Sequence, residues 1–324
     1  MTRLQRRYLR YWGIDAAWLD GTAALVSERR PDVVVAASFD VLPCLAAAAG
    51  TTRVWYAADE YARHHLSMLR LGQPGTWRHL FEAAVAGLYE RTYSAHVDRA
   101  WVVSGEERRA LKFVTGIRAV DVVPNGVDAE YFQPGRERQT PRSCTFWGRL
   151  DAGPNIQAVT WFCRRVWPAV RREFPDARFA IYGFQPVPEV RSLASDSVSI
   201  IADIPDIRPV MRTHEIVVLP FVSGGGIKNK LLEAAALGLP IIASPLACGG
   251  LDGSAPIKLA RSPAEWVQAL RELWTDGERR RRLGADARNW VTATHTWEAA
   301  ARAALAGLPA LAPSPPGFAG GEGG

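Results

Sequence analysis

The chain has 324 residues, of which 48% are hydrophobic, with 39 basic and 33 acidic side chains. At about 150 residues per domain, this length predicts two domains, and so apolar a composition excludes global disorder. The formal net charge of +6 suits an anionic small-molecule ligand without requiring nucleic acid as a partner. The 4 cysteines form no Cys-x-x-Cys pair, which argues against a disulfide framework or a zinc site and favours a cytoplasmic location.

Short β-branched runs alternate with helical segments through the first part of the chain. A fully buried strand of a parallel sheet reads as such a continuous apolar run. The first thirty residues carry no run of this kind. The predicted strands of this part lie at residues 32–36, 53–57, 100–103 and 119–123.

A second alternating set begins after a polar stretch at 132–141, whose Pro and Gly content is typical of a linker. From residue 262 onward the chain is predicted to be helical. Two sets of strands alternating with helices predict two doubly wound α/β domains with parallel sheets. The second set has predicted strands at 143–147, 178–182, 198–201, 215–219 and 240–243, and predicted helices at 156–173 and 227–237.

The strongest candidate site is the glycine-rich turn Gly224–Gly226, which lies between a predicted strand and a predicted helix. Free N–H groups at a helix start favour an anion, and glycines let a phosphate approach the backbone. Lys228 and Lys230 are placed to neutralise a diphosphate, and Glu233, about one turn further, to accept hydrogen bonds from ribose hydroxyls. The alternative is an ordinary turn before a core helix, with both lysines solvated.

A second candidate segment ends the first strand of the second set. Gly148 and Arg149 follow the predicted strand at 143–147 directly. Ligands of doubly wound sheets bind just beyond the carboxyl ends of the strands. Gly148 permits close approach there, and an arginine can hold phosphate oxygens in a bidentate manner. The alternative for Arg149 is a solvated loop side chain.

Together these segments resemble the group 1 glycosyltransferases of family 4, which have the GT-B fold. That family typically carries Val-Pro-Asn-Gly-Val-Asp before its interdomain linker, Gly-Arg-Leu after the first strand of its second domain, and a Glu followed by Ala-x-Ala-x-Gly-x-Pro. The matching segments here are residues 123–128, 148–150 and 233–240, and residues 296–298 resemble the closing Ser-Trp-Glu. The resemblance spans nearly all of residues 32–305 and implies two Rossmann-like domains that face a cleft.

The resemblance also implies roles for individual residues. Arg149 would contact the donor diphosphate and Glu233 the donor ribose. The N–H groups of Leu231 and Leu232 would line the phosphate and sugar, and Ile204 would lie near the base. The donor-binding residues expected on this basis are Gly148, Arg149, Ile204, Gly224, Gly225, Gly226, Lys228, Lys230, Leu231, Leu232 and Glu233.

The chain departs from the family pattern at three positions. Gly225 stands where many members have a Glu, although a subset reads Gly-Gly-x-Lys-x-Lys here. Pro154 replaces a second phosphate-binding Lys, so we infer that Lys228 or Lys230 supplies the missing charge. Many members place a His after the second strand; Asp59 is the corresponding candidate contact to the transferred sugar, with helix capping as its alternative. The expected catalytic residues are Asp59, Arg149 and Lys230.

The four strands predicted before the linker fill less than the usual first sheet of this family. The first domain is therefore expected to lack its opening strand–helix units. The expected organisation is a shortened acceptor-side domain at 1–136 and a nucleotide-sugar-binding domain at 137–290. A helix at 291–306 is expected to pack back on the first domain, and the Pro- and Gly-rich tail at 307–324 is expected to be disordered.

The implied activity is that of a retaining, metal-independent transferase. It would move a sugar from a UDP- or GDP-sugar to a hydroxyl of a glycan or lipid-linked acceptor, in polysaccharide or cell-envelope biosynthesis. No cofactor and no metal are expected, and the sequence contains no Asp-x-Asp. One alternative is a non-catalytic nucleotide-sugar-binding relic. The other is a nicotinamide-dependent oxidoreductase, which the missing Gly-x-Gly-x-x-Gly disfavours.

Four arginines alternate with Leu, Tyr and Trp between residues 3 and 12. One interpretation is peripheral contact with the anionic inner surface of a membrane. The alternative is an amphipathic helix that packs on its own domain. No transmembrane helix is predicted, because the longest apolar stretch, 234–248, is interrupted by prolines.

Overall fold

The computed structural model describes residues 2–57, 76–223, 228–251 and 253–309. These residues form two β-sheets in which every strand pair is parallel. The predicted α/β class with parallel sheets is therefore confirmed. None of the helices in the described ranges is long and apolar enough to span a bilayer.

The first sheet is built from the four apolar runs of the first part of the chain. Its strand order follows the chain order, β1-β2-β3-β4. Each strand agrees with its predicted run to within one or two residues, because these runs are apolar enough to be buried between helices. The strands are β1 (Val33–Ala37), β2 (Thr52–Tyr56), β3 (Arg99–Val102) and β4 (Val120–Val122). The helices of this half are α1 (Arg3–Trp12), α2 (Ala17–Arg29), α3 (Thr76–Tyr93) and α4 (Gly105–Thr115).

The N-terminal segment forms helix α1, which packs on α3. The Tyr8 and Tyr89 rings meet edge to face with centroids 5.7 Å apart, and the Tyr93 hydroxyl donates a hydrogen bond to the Gln5 carbonyl. Tyr8 and Leu9 are buried, while all four arginines of α1 are exposed. The packing of α1 on its own domain, one of the two interpretations of this segment, is thus observed.

The second sheet is doubly wound. Its strand order is β10-β9-β8-β5-β6-β7, so the chain adds strands on one side of β5 and then returns to add strands on the other side. The reversal between β5 and β8 opens a crevice at their carboxyl ends, where doubly wound sheets bind ligands. The strands are β5 (Thr140–Arg149), β6 (Arg178–Phe184), β7 (Val198–Ala202), β8 (His214–Leu219), β9 (Ile241–Ala243) and β10 (Lys258–Leu259).

Helices of the second half pack against this sheet. The single helix predicted at 156–173 is wrong: the structure has two helices separated at Val166. Pro168 explains the break, since its ring lacks an N–H and collides with the carbonyl four residues earlier. The helices are α5 (Gly153–Arg165), α6 (Trp167–Glu173), α7 (Pro188–Arg191), α8 (Ile207–Arg212), α9 (Asn229–Ala236), α10 (Pro263–Thr275), α11 (Gly277–Thr294) and α12 (Trp297–Ala306).

The chain passes between the two halves at two adjacent places. The first is the segment between β4 and β5, which contains the predicted boundary at residue 136. The second is the α11–α12 junction, where Val127 N–H donates to the His295 carbonyl at 2.8 Å. Helix α12 contacts β4, but it begins at Trp297 rather than at residue 291. The hydroxyl of Thr296 caps it by accepting from the Ala299 N–H.

The two crossings pack closely at Gly126. A Cβ atom there would lie 2.7 Å from the Trp297 nitrogen, so only glycine fits without moving the backbone of one crossing. The Val-Pro-Asn-Gly-Val-Asp stretch therefore has a structural role, which is to hold the two crossings together.

Candidate functional site

The candidate site lies at the crevice between β5 and β8, and Gly148 forms its floor. Gly148 has a φ of +150°, and a Cβ atom there would lie 2.6 Å from the Lys230 Nζ. Both the backbone conformation and the closeness of the ammonium group favour glycine. On the neighbouring strand β6, a Cβ atom at Gly183 would collide with the Gly148 carbonyl oxygen. Gly148 thus lets the end of β5 lie directly beside α9, and Gly183 lets β6 lie close against the end of β5.

Lys230, in the first turn of α9, is the central cation of the crevice. Its Nζ donates to the Asn155 Oδ1 at 2.8 Å and lies 4.3 Å from the Phe146 ring centroid and 5.1 Å from that of Phe221. Removal from water between these groups lowers the pKa of Lys230 to about 7, although Glu233 acts in the opposite direction. Within the part of the chain that the structure describes, the hydrogen-bond partner of this ammonium group is the neutral amide of Asn155.

Asn155 links Lys230 to the loop that follows β5. Its Nδ2 donates to the Arg149 carbonyl at 2.8 Å. Asn155, one position beyond Pro154, thus connects the ammonium of Lys230 to the end of β5. Of the two lysines left open by the sequence, Lys230 is the one that the structure places beside Gly148. The Nζ of Lys228 lies 5.2 Å from the Phe221 ring centroid.

Glu233 lies on the same helix, and Trp147 holds one of its oxygens. The Trp147 Nε1 donates to the Glu233 Oε2 at 2.9 Å. Burial raises the pKa of Glu233, while the bond from Trp147 and the charge of Lys230 act to lower it. The crevice thus combines a carboxylate and an ammonium at the carboxyl end of one sheet.

Arg149 lies apart from this pair. Its guanidinium is largely exposed and binds Asp151, with Nη2 and Oδ2 2.6 Å apart. That partner raises the pKa of Arg149 and lowers the pKa of Asp151. Arg149 must exchange Asp151 for a ligand if it is to bind a diphosphate in the crevice.

The remaining residues that were expected to bind the donor differ in burial and in hydrogen bonding. The side chains of Leu231 and Leu232 are fully buried. The Leu231 N–H donates to the Lys228 carbonyl at 2.8 Å. This N–H was expected to bind a phosphate, but in the structure it is already used. Ile204 is partly buried against the core of the second half. Asp59, Gly224, Gly225 and Gly226 lie outside the described residues.

Sequence reasoning missed four contributors to the site. The rings of Phe146 and Phe221 lie beside Lys230, and Trp147 and Asn155 bind the two charged groups of the crevice. Phe146 and Trp147 lie among the last residues of β5, and Phe221 lies just after β8. These positions were a usable signal, because strand ends converge at this edge of the sheet. The described parts of the chain contain no cluster of His, Cys, Asp and Glu side chains with the geometry of a metal site.

A site with these groups at the switch point of a doubly wound sheet is typical of α/β proteins that bind nucleotides. Residues 141–276 match the family model "Glycosyl transferases group 1". Through this segment the chain is similar to the group 1 glycosyltransferases, and its fold is GT-B.

One curated relative and several solved structures are similar to this chain. The chain is 26% identical to a D-inositol 3-phosphate glycosyltransferase of Corynebacterium kroppenstedtii, over 61% of this chain and 50% of the relative. It superimposes on TarM with a TM-score of 0.70 at 12% identity, covering 89% of this chain and 58% of TarM. For Alr3699/HepE of Anabaena, solved with UDP and glucose, the TM-score is 0.62 at 14% identity, covering 88% and 80%. The chain thus spans about half the length of the curated relative.

Proposed function

We propose that the protein transfers a sugar from a nucleoside diphosphate sugar to an acceptor hydroxyl, with retention of configuration and without a metal ion. The carrying observation is that Lys230 and Glu233 lie in one crevice. Among the described residues, the ammonium binds only the neutral Asn155 amide, and Trp147 binds one carboxylate oxygen of Glu233 and leaves the other open. A diphosphate supplies a counterion for the ammonium, and a ribose supplies hydroxyl donors for the carboxylate.

In this mechanism the bond between the sugar C1 and the diphosphate oxygen breaks while a bond from C1 to the acceptor oxygen forms on the same face. The departing diphosphate oxygen takes the acceptor's proton, so no separate base is required. Lys230 stabilises the charge that develops on the diphosphate, and Arg149 adds to it after leaving Asp151. Glu233 holds the ribose, and so fixes the position of the reacting carbon. Asp59 is the proposed polar contact to the transferred sugar.

UDP is the first donor nucleotide to test. Alr3699/HepE, which shares the fold, has been solved with UDP and with UDP-glucose. The proposed acceptor is a hydroxyl of a glycan or lipid-linked intermediate in polysaccharide or cell-envelope biosynthesis, on the cytoplasmic side of the membrane. GDP-sugars are the second donor class, since no described contact selects the base.

Turnover of UDP- and GDP-sugars tests this function. We expect release of nucleoside diphosphate in the presence of acceptor extracts, unchanged by EDTA, because Lys230 and helix-start N–H groups neutralise the diphosphate. Mass spectrometry of the glycosylated product and nuclear magnetic resonance of its anomeric proton would establish transfer and retention. Activity that chelation abolishes and magnesium or manganese restores would contradict the metal-independent site. Nucleotide-sugar binding without turnover would support the alternative of a non-catalytic binding protein.

We also propose that α1 and α3 rest on an anionic membrane surface. The outer side of α3 carries an apolar stripe at helical spacing, in which Trp77 is 82%, Phe81 59% and Leu88 57% exposed. Helix α1 lies beside it, with the Tyr11 hydroxyl bonded to the Glu82 Oε2, and exposes its four arginines. Apolar insertion next to basic side chains is the usual basis of interfacial binding.

Vesicle sedimentation tests this surface. We expect the protein to sediment with phosphatidylcholine vesicles that contain phosphatidylglycerol and to remain in solution with phosphatidylcholine alone. The Trp77→Ser, Phe81→Ser double variant should stay in solution with both. Phe113→Ser is the matched control, because Phe113 is 87% exposed on α4. Equal loss in the control, or sedimentation that does not depend on anionic lipid, would show that this surface has another role.

A further inference from the structure

Trp147 is a buried tryptophan whose one polar atom, the indole N–H, donates a hydrogen bond to the candidate ribose-binding carboxylate. Its side chain is only 7% exposed, so the surrounding core fixes its ring. An indole has one N–H donor and no acceptor. That donor lies 2.9 Å from the Glu233 Oε2. A rigid strand residue thus holds one oxygen of a carboxylate on the facing helix.

The other oxygen of Glu233 has no such partner. Within the described ranges, the Glu233 Oε1 accepts no hydrogen bond and is not a buried atom. Anchoring Oε2 stops rotation of the carboxylate about its last bond, and so gives Oε1 a fixed direction. One carboxylate oxygen has two lone-pair sites, enough for the two hydroxyls of a ribose diol.

We propose that Trp147 is a positioning residue that orients Glu233 toward the donor ribose, and that it sets the preference of the site for ribonucleotides over dideoxyribonucleotides. This inference rests on the proposed function, because it takes Glu233 as the ribose contact. Preorganisation is the physical reason: a carboxylate that is already oriented loses less conformational freedom when the ribose binds.

A thermodynamic cycle tests the inference. Calorimetric titration with UDP and with 2′,3′-dideoxy-UDP gives the ribose preference of the wild-type protein and of Trp147→Phe; GDP and its dideoxy form serve if UDP does not bind. Wild type should prefer the ribonucleotide by about tenfold or more. In Trp147→Phe we expect that preference to fall by about threefold or more, with nearly unchanged affinity for the dideoxynucleotide.

Trp167→Phe is the matched control. The Trp167 Nε1 donates to the Ser197 Oγ at 3.1 Å, so this variant also loses one indole hydrogen bond in the same half of the chain. It should lower thermal stability while leaving the ribose preference unchanged. A second readout is the acid limb of UDP binding: without the Trp147 bond the pKa of Glu233 rises, so binding should be lost at a higher pH than in wild type.

The outcomes distinguish the ribose-binding role of Glu233 from the positioning role of Trp147. A wild-type protein that binds both nucleotides equally, or neither, would overturn the ribose role of Glu233 and this inference with it. A wild-type preference that survives intact in Trp147→Phe would overturn the inference alone. Equal loss of the preference in Trp147→Phe and Trp167→Phe would also overturn it, since the effect would then reflect general loosening of the domain.

Discussion

Replacing Lys230 with methionine should stabilise the ligand-free protein and, at the same time, weaken nucleoside diphosphate binding about ten- to a hundredfold. The lysine ammonium lies between two aromatic rings and Asn155, and its pKa of about 7 means that its charged form is less favourable here than in water. Methionine packs well against aromatic rings. Exchanging a desolvated charge for an apolar side chain often stabilises a protein, here by about 1–2 kcal/mol.

Calorimetry would measure both effects, with uridine as the comparison ligand for UDP. Affinity for uridine should change little, because Lys230 is assigned to the phosphates. Lys228→Met is the matched control and should alter UDP binding less. A lower melting temperature for Lys230→Met would contradict the assigned environment of the ammonium, and equal losses for UDP and uridine would contradict its phosphate role.

The pH dependence of Lys230 has a definite sign. The folded-state pKa is about 7 and the ordinary value is 10.5, so the unfolded chain binds more protons between these two values. The contribution of Lys230 to stability should therefore rise as the pH rises from about 7 to 10.5, and this rise should be missing in Lys230→Met. A bound diphosphate raises the pKa again, so UDP affinity should be highest below pH 7 and should fall above it.

Glu233→Ala should weaken UDP binding about ten- to a hundredfold, because a hydrogen bond to a charged group contributes about 1.5–3 kcal/mol. The loss should disappear when the ligand lacks its ribose hydroxyls. The fold should survive, since burial already raises the pKa of this carboxylate and so removing the charge relieves a desolvation cost.

Titration calorimetry of UDP and 2′,3′-dideoxy-UDP would measure this effect. Glu233→Gln is the control for shape: it keeps an oxygen for the Trp147 N–H but loses the charge, and its affinity should lie between those of wild type and Glu233→Ala. Unchanged UDP affinity in Glu233→Ala would remove Glu233 from the donor site.

The sequence predicted the sheets better than the contacts within the site. Strands such as β6 and β8 are continuous apolar runs, so local composition was enough to locate them. The choice between Lys228 and Lys230 was left open, because it depends on how tightly α9 packs against Gly148. The hydrogen bond from Trp147 to Glu233 likewise depends on side-chain directions across the fold, which no local pattern encodes.

The double crossing between the halves limits how the cleft can open. Two domains joined by a single segment can rotate about it in many directions. Two segments joined side by side act as a hinge, which permits rotation of the halves about one axis and resists twisting. Here that axis runs through the bridge between Val127 and Thr296. Asn125, which donates to the Asn229 Oδ1 at 3.0 Å, lies beside it at the start of α9. If the two halves swing about this axis, the start of α9 should move least, and the strand of the first sheet farthest from the bridge should move most.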